Sequence, residues 1–279
     1  MVSTVTVGTW NILAAPWCAP EFYPAEMDMT LLAREPRADR VAARLAALDA
    51  DVWCLQEVTP TDLARILGGE VGRRYDHHHV GNGRELWANW STPEVPWEPN
   101  GTAVLWKHSE FAPDHRGSAV LSPDGNVATW VGLTHRHGVQ WRVMSAHLDA
   151  DDPTIRRAQM PAALAGFAPA PGIVDVVAGD CNEDTAAATE LGARVTAAGF
   201  VDAPELVDCL APTHPYARPG DGWVALARID HVLVRGGAVG SARVEDTGVW
   251  EIETPGERMA EHLRRTGSDH LPVLVELTT

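Results

Sequence analysis

Six short polar clusters interrupt the apolar runs of this chain, and their residue types are those that can cut a phosphoester bond. Carboxylate and amide oxygens are the ligands that a hard divalent cation prefers, whereas an imidazole can move a proton or stabilise developing charge. Together they favour metal-assisted attack of water on phosphorus. The clusters are Thr9-Trp10-Asn11, Leu55-Gln56-Glu57, Ser145-Ala146-His147-Leu148, Gly179-Asp180-Cys181-Asn182, Arg228-Ile229-Asp230-His231 and Gly267-Ser268-Asp269-His270.

Three of the clusters supply groups suited to acid–base work. Asp230 and His270 form a natural pair, because a carboxylate on one ring nitrogen fixes the tautomer and leaves the other nitrogen for the substrate. Asp180 and Asn182 follow a glycine that permits a tight turn, so both can reach one pocket and position or deprotonate water. Asp269, next to His270, is then available for a metal or its waters.

Taken singly, each cluster also has a purely structural explanation. Glu57 precedes a predicted helix, where the helix dipole favours an acid, and Asn11 is a typical turn residue after a strand. His147 could be a satisfied core histidine, and the Asp180–Asn182 turn could cap the next helix. Six such coincidences in order at six strand ends are improbable, which favours the catalytic interpretation.

Composition narrows the class of substrate and the compartment. The 279 residues suit one domain, residues 1–279, and carry 22 basic against 38 acidic side chains, a net charge of -16. A protein that binds long duplex nucleic acid normally carries a basic stripe on its surface. The acidic charge therefore favours a short or small phosphoester as the substrate. The four cysteines form no C-x-x-C pair. No apolar run approaches the length of a membrane span, and we expect a cytoplasmic protein with reduced thiols.

Hydrophobic periodicity predicts a strand-rich chain with helices set between strands. We expect two sheets packed together with helices outside, and the key polar groups at strand ends. Residues 14–30 and 75–100 are predicted to be irregular. The predicted helices are 31–48, 60–67, 153–167 and 184–198, and the predicted strands are 5–9, 51–55, 102–106, 127–135, 140–147, 172–178, 229–234, 243–249 and 271–277, with a hairpin turn at His137-Gly138.

The ordered series TWN, LQE, SAHL, GDCN, RIDH and GSDH resembles the endonuclease/exonuclease/phosphatase superfamily, whose fold is that of DNase I, and is nearest its deadenylase-like branch. The resemblance runs from residue 9 to residue 277 and implies an α/β (α+β) fold, a four-layer αββα sandwich of two mixed sheets flanked by helices. It implies Mg²⁺ or Mn²⁺ as cofactor. The roles it implies are metal binding by Asn11, Glu57 and Asp269, phosphate stabilisation by His147, water positioning by Asp180 and Asn182, and the pair Asp230–His270.

The chain departs from the family pattern at three places. Cys181 stands where an aromatic residue is commoner, and His231 stands where Tyr or Trp is frequent. Asn100-Gly101-Thr102 occupies the place of a nuclease-like acid, so a mechanism that pairs His147 with a carboxylate as general acid is not implied. Arg157 and Gln159 fit the helix of the deadenylase-like branch, although a solvated helical face explains them as well.

We therefore predict a phosphodiesterase or nuclease that acts on a short or single-stranded nucleic acid or a nucleotide. The alternatives are a small-molecule or lipid phosphatase or phosphodiesterase of the same fold, and a non-catalytic binding module. The sequence does not fix the oligomeric state. The run His77-His78-His79 could bind a transition metal, but it is interpreted as a solvated loop that could reach the substrate rim. Four tryptophans are candidates for lining a substrate groove, namely Trp10, Trp87, Trp90 and Trp97.

Overall fold

Twelve strands and seven α-helices make up the part of the chain that the computed structural model describes, residues 3–83, 98–122, 126–186, 189–209, 213, 228–245, 247–249 and 251–279. The helices are α1 (Arg34–Leu48), α2 (Pro60–Leu67), α3 (Glu70–Arg74), α4 (Pro153–Ala165), α5 (Glu190–Ala197), α6 (Ala203–Leu206) and α7 (Pro255–Thr266). The strands are β1 (Thr4–Asn11), β2 (Val52–Val58), β3 (Tyr75–Gly81), β4 (Gly101–Lys107), β5 (Phe111–Val120), β6 (Val127–His135), β7 (Gln140–His147), β8 (Ile173–Asp180), β9 (Val201–Asp202), β10 (Asp230–Arg235), β11 (Ala238–Val244) and β12 (Val273–Thr278).

The strands form two mixed sheets of similar layout. The first has the order β11-β12-β1-β2-β4-β3 and the second the order β5-β6-β7-β8-β10-β9. In each sheet a parallel pair, β1 with β2 or β7 with β8, lies between antiparallel neighbours. The carboxyl ends of both parallel pairs lie at one edge of the sandwich, so this edge collects the side chains that follow or end those strands.

Three hydrophobic clusters hold the two sheets together and attach helices to their outer faces. Side chains such as Val7, Val104 and Val176 fill the space between the sheets. The outer face of the first sheet packs Trp53 and Leu105 against helices α1 and α2. The outer face of the second sheet is covered by α4 and α5 through a separate cluster. The four layers are therefore helix, sheet, sheet and helix, as the sequence predicted.

Most predicted elements are confirmed, some with shifted ends. Strands 127–135 and 140–147 and helix 60–67 have the predicted bounds, and Gly138 closes the predicted hairpin with a φ of 84°. Helix α2 begins where the Thr59 side chain accepts a hydrogen bond from the Asp62 amide, a typical N-cap. Helix α1 starts at Arg34 rather than residue 31, and α5 starts at Glu190 rather than residue 184.

Other predictions were wrong. Residues 75–81 form edge strand β3 instead of an irregular stretch, and β5 was missed. The predicted strands 102–106 and 127–135, which the sequence pattern makes neighbours along the chain, belong to different sheets as β4 and β6. Residues 14–30 contain short 3₁₀ helices, and the strand placed at 243–249 is β11, which ends at Val244. Both missed strands carry polar residues on a sheet edge, where no apolar alternation marks them. None of the described helices is long and apolar enough to cross a membrane.

Candidate active site

Strand pairing alone brings three of the predicted catalytic residues together. Asp180 is the last residue of β8, and its register partners are His147 at the end of β7 and Asp230 at the start of β10. Close approach of β7 and β8 depends on Gly179, because a Cβ atom there would lie 1.8 Å from the carbonyl oxygen of Ala146. A side chain at position 179 would push apart the two strands that carry His147 and Asp180.

Asp180 lies at the centre of the site. Its Oδ2 is 3.6 Å from Nε2 of His147, 3.6 Å from Nε2 of His270 and 3.1 Å from the Asn11 Nδ2 that donates to it. Its Oδ1 accepts a hydrogen bond from the backbone amide of Asn182 at 2.8 Å. Burial alone would raise the pKa of the Asp180 carboxyl, but His270 and His147 outweigh burial and lower it. Asp180 is therefore held as a carboxylate.

His270 forms the predicted pair with Asp230. Its Nδ1 lies 2.8 Å from Oδ2 of Asp230, which leaves Nε2 facing Asp180. Burial lowers the pKa of His270, but the carboxylates of Asp230 and Asp180 more than offset burial and hold it well above its usual value. The raised pKa favours the protonated imidazole, whose Nε2 faces Asp180.

The backbone of His270 is fixed from several directions. Its carbonyl accepts a hydrogen bond from Trp10 Nε1 at 2.9 Å and lies 3.3 Å from Nε2 of the fully buried His262 on α7. Its amide donates to the Ser268 hydroxyl, which itself donates to the Asn11 carbonyl at 2.6 Å. These contacts tie the start of β12 to the end of β1.

Glu57 adopts a backbone conformation that is unusual for a non-glycine residue. Its φ is 57°, and the pairing of β2 with β4 is irregular between Gln56 and Val58. The bulge lets the Glu57 side chain reach Asn11 Nδ2 at 2.9 Å and the Ala14 amide at 2.7 Å. Left-handed strain of this kind costs of order 1–3 kcal/mol and tends to occur at functional sites.

Glu57 and Asp269 have the donor chemistry of a cation site. Burial raises the pKa of the Glu57 carboxyl, and the nearby Asp269 carboxylate raises it further. Asp269 Oδ1 is buried without a hydrogen-bond partner among the described residues, while its Oδ2 accepts from the Tyr23 hydroxyl at 3.4 Å. Two neighbouring acids with an unpaired buried oxygen fit a hard divalent ion, which would relieve their repulsion.

Asn11 joins the two halves of the site through its amide nitrogen. The same Nδ2 donates to Glu57 and to Asp180, whereas Oδ1 accepts from the Leu13 amide at 3.0 Å. Leu13 itself has a φ of 62°, so the amide oxygen of Asn11 stabilises the turn after β1. The metal-ligand role expected for Asn11 stays a prediction and requires rotation of its amide.

A buried ionic network behind the site was not anticipated from the sequence. His231 is fully buried, with Nδ1 3.0 Å from Asp202 Oδ2 and Nε2 3.2 Å from the Glu183 carbonyl. Arg228 joins Asp202 as well. Glu183 follows Asn182, whose φ is 51° and whose Nδ2 donates to the Leu148 carbonyl. The network therefore supports the loop that carries Asn182. The only sequence signal was a histidine in place of the family's usual aromatic residue.

Several side interpretations are now resolved. Trp10 is fully buried and does not line a groove, because its indole holds the His270 carbonyl; Trp87, Trp90 and Trp97 lie outside the described residues. Gln159 is also fully buried, and its Oε1 accepts from the Asp149 amide at 2.7 Å. The solvated-face explanation was therefore wrong for Gln159.

The sequence profile of the Endonuclease/Exonuclease/phosphatase family matches residues 8–270. No curated protein sequence matches the chain. Among solved structures, it is similar to D. rerio TDP2 complexed with single strand DNA product, at 15% identity over 99% of this chain and 100% of that one, with a TM-score of 0.69.

Two further solved structures share the fold. The human Nocturnin catalytic domain with bound sulfate is 20% identical over 99% of this chain and 94% of that one, with a TM-score of 0.68. The mannosyl-6-phosphatase Bt3783 of Bacteroides thetaiotaomicron is 20% identical over 98% and 99%, also with a TM-score of 0.68. At such identities the structural similarity indicates the fold, whereas the family follows from the sequence profile.

Proposed function

Because the chain belongs to the endonuclease/exonuclease/phosphatase family of divalent-metal-dependent phosphoester hydrolases, we propose that it is a Mg²⁺-dependent phosphodiesterase. Its proposed substrates are short or single-stranded nucleic acids and nucleotide-like diesters. The observation that carries this proposal is the convergence of Asn11, His147 and His270 on the single carboxylate of Asp180. These residues come from four strands and loops that are distant in sequence.

Asp180 positions the attacking water in this proposal. Its carboxylate is ionised and rigid, so it can accept a hydrogen bond from water and take the proton as the new oxygen–phosphorus bond forms. Asn182 helps to place the same water or a phosphoryl oxygen. The leaving oxygen departs opposite the attacking water, in line with the bond that forms.

His270 and His147 stabilise the negative charge that grows on the phosphoryl oxygens. His270 is held protonated by Asp230 and Asp180, so its Nε2 can donate a hydrogen bond to the transition state. A preorganised donor of this kind typically contributes about a hundredfold or more in rate. This division of roles leaves Asp180, rather than His270, as the group that accepts the proton.

Glu57 and Asp269 would hold the metal ion, and Asn11 would join them through its amide oxygen after rotation of the amide. When bound there, Mg²⁺ would neutralise charge on the phosphoryl and leaving oxygens. An all-oxygen donor set matches Mg²⁺ or Mn²⁺ better than a softer metal. The direct check is Mn²⁺ anomalous scattering, which should place the ion between the Glu57 and Asp269 carboxylates.

The net charge of -16 favours a short substrate over a long duplex. It is equally compatible with a small phosphomonoester, and the similarity to a mannosyl-6-phosphatase structure keeps a sugar phosphatase as the second candidate. The two candidate functions are distinguished by the rates of hydrolysis of bis(p-nitrophenyl) phosphate and p-nitrophenyl phosphate, measured with Mg²⁺ and again with EDTA. Faster cleavage of the diester supports the proposal, and hydrolysis of the monoester alone contradicts it.

A binding module that kept the fold but lost catalysis is the third candidate. A short single-stranded oligonucleotide should be cleaved if the proposal holds, and sugar phosphates should be cleaved if the second candidate holds. In either case Asp180→Ala should be inactive and still folded by circular dichroism. If neither substrate class is cleaved and calorimetry shows no Mg²⁺ or Mn²⁺ binding, the binding module replaces the enzyme.

A further inference from the structure

Strand β3 carries three consecutive histidines on the edge of the first sheet, well apart from the catalytic groups in sequence. Among the described strands it pairs with β4 alone, with His77 opposite Leu105, His78 opposite Val104 and His79 opposite Ala103. Ala103 and Leu105 belong to the outer cluster under α1 and α2, whereas Val104 belongs to the core between the sheets. His77 and His79 therefore share the outer face, and His78 is on the other.

Residues two apart on a strand lie about 7 Å apart with parallel side chains, a spacing that lets two imidazoles reach one ion. One ring nitrogen of His79 is already held by the backbone. Its Nε2 lies 2.9 Å from the Val58 carbonyl. Because a carbonyl oxygen only accepts, Nε2 carries the hydrogen and Nδ1 keeps its lone pair. A ligating histidine whose other nitrogen donates to a backbone carbonyl is the usual arrangement in metal sites.

The surroundings of the pair favour a nitrogen-binding ion. His77 is exposed, and no hydrogen bond to its side chain is formed by the described residues. His77, His79 and the intervening His78 all border an open groove, together with Leu63 and Leu67 of α2. None of the described residues that line this groove has a carboxylate. Mg²⁺, which needs oxygen donors, does not fit there, whereas imidazole suits Ni²⁺, Cu²⁺ and Zn²⁺.

We propose that His77 and His79 chelate one late first-row transition-metal ion, Ni²⁺, Cu²⁺ or Zn²⁺, on the outer face of β3. The remaining coordination positions are open to water from the groove. Arg116 lines the same groove and repels a cation, so the site binds its ion exchangeably. It is separate from the oxygen-donor site of Glu57 and Asp269, and the inference does not depend on the proposed function.

The test is calorimetric titration of untagged full-length protein with NiCl₂ in excess Mg²⁺, which occupies oxygen-donor sites. The wild type should bind a single equivalent of Ni²⁺. His77→Ala and His79→Ala should each weaken binding by about tenfold or more, since loss of a mere supporting group already costs that much. His108→Ala is the control and should bind as the wild type does, because His108 contacts the Arg73 carbonyl and does not line the groove.

Cu²⁺ electron paramagnetic resonance provides a second readout that does not depend on affinity. The wild-type spectrum should show coupling to two imidazole nitrogens, and that of the His77→Ala variant should show one. The proposal is overturned if the wild type binds no Ni²⁺, or if His77→Ala binds it as tightly as the wild type. It is also overturned if His108→Ala weakens binding as much as His77→Ala, or if Glu57→Gln abolishes binding.

Discussion

Replacement of Gly179 by alanine tests the link between strand packing and catalysis. The added Cβ atom would stand 1.8 Å from the Ala146 carbonyl oxygen, whereas real Cβ contacts are essentially never below 3.0 Å. Strands β7 and β8 must therefore separate by about 1 Å at this point. The next register pair along these strands is His147 with Asp180.

The geometry at Gly179 gives the expected magnitude of the effects on stability and on kcat. The φ of 157° at Gly179 is one that alanine tolerates poorly, and strain of this kind with overpacking should lower the free energy of unfolding by about 2–6 kcal/mol. A misplacement of ~1 Å between reacting groups can cost about a hundredfold in rate. We therefore expect Gly179→Ala to reduce kcat on a diester substrate by about that factor.

Gly138→Ala is the matched control. Gly138 also has a positive φ, 84°, but a Cβ atom there would meet nothing within 4 Å. It should lose about 1–2 kcal/mol through strain alone and keep its full activity. Urea unfolding and steady-state kinetics on both variants measure the two effects. If a folded Gly179→Ala enzyme retains wild-type kcat, close approach of β7 and β8 does not position His147 and Asp180, and the reasoning fails.

Three further predictions address other parts of the site. Glu57→Gln removes a carboxylate charge beside Asp269, so the half-saturating Mg²⁺ concentration in kinetic assays should rise by about tenfold or more; an unchanged value would exclude Glu57 as a ligand. Trp10→Phe deletes the hydrogen bond to the His270 carbonyl, so kcat should fall about 2- to 10-fold with KM unchanged; a change confined to KM would contradict this role. Burial raises the pKa of the Asp202 carboxyl, but His231 and Arg228 outweigh burial and hold it below its usual value. Asp202 therefore stabilises the fold above its unfolded-state pKa, and this contribution is lost as the pH falls through its folded-state pKa. Asp202→Asn should lower the free energy of unfolding by about 1–3 kcal/mol at neutral pH and hardly at all near pH 2, and an equal loss at both pH values would count against the ionic interaction.

The layered fold and the catalytic groups could be predicted because each cluster stands at one end of a strongly apolar strand. Strand β8 is an example, since its continuous apolar run delivers Asp180 at one edge of the sheet. Edge strand β3 could not be found in this way, because His77, His78 and His79 give no apolar alternation. Its place follows from pairing with β4, which is a tertiary contact.

The residues that hold the catalytic groups in place could not be predicted from the sequence either. Asp202 and His231 are 29 residues apart, and only the folded sheet brings them together. Gln159 is polar yet fully buried because it holds the Asp149 amide, and periodicity cannot distinguish that from a solvated face. The left-handed backbone of Glu57 depends on the bulge between β2 and β4, which involves both strands.

The most direct test of the central claim is the rate at which Asp180→Asn cleaves a short single-stranded oligonucleotide in Mg²⁺. This substitution keeps the shape of the side chain but removes the carboxylate that would orient the water, and with it the charge that, after that of Asp230, most raises the pKa of His270. The account predicts a fall in kcat of about a thousandfold for a variant that remains folded by circular dichroism. A folded Asp180→Asn protein that cleaves within a few-fold of the wild-type rate would contradict it.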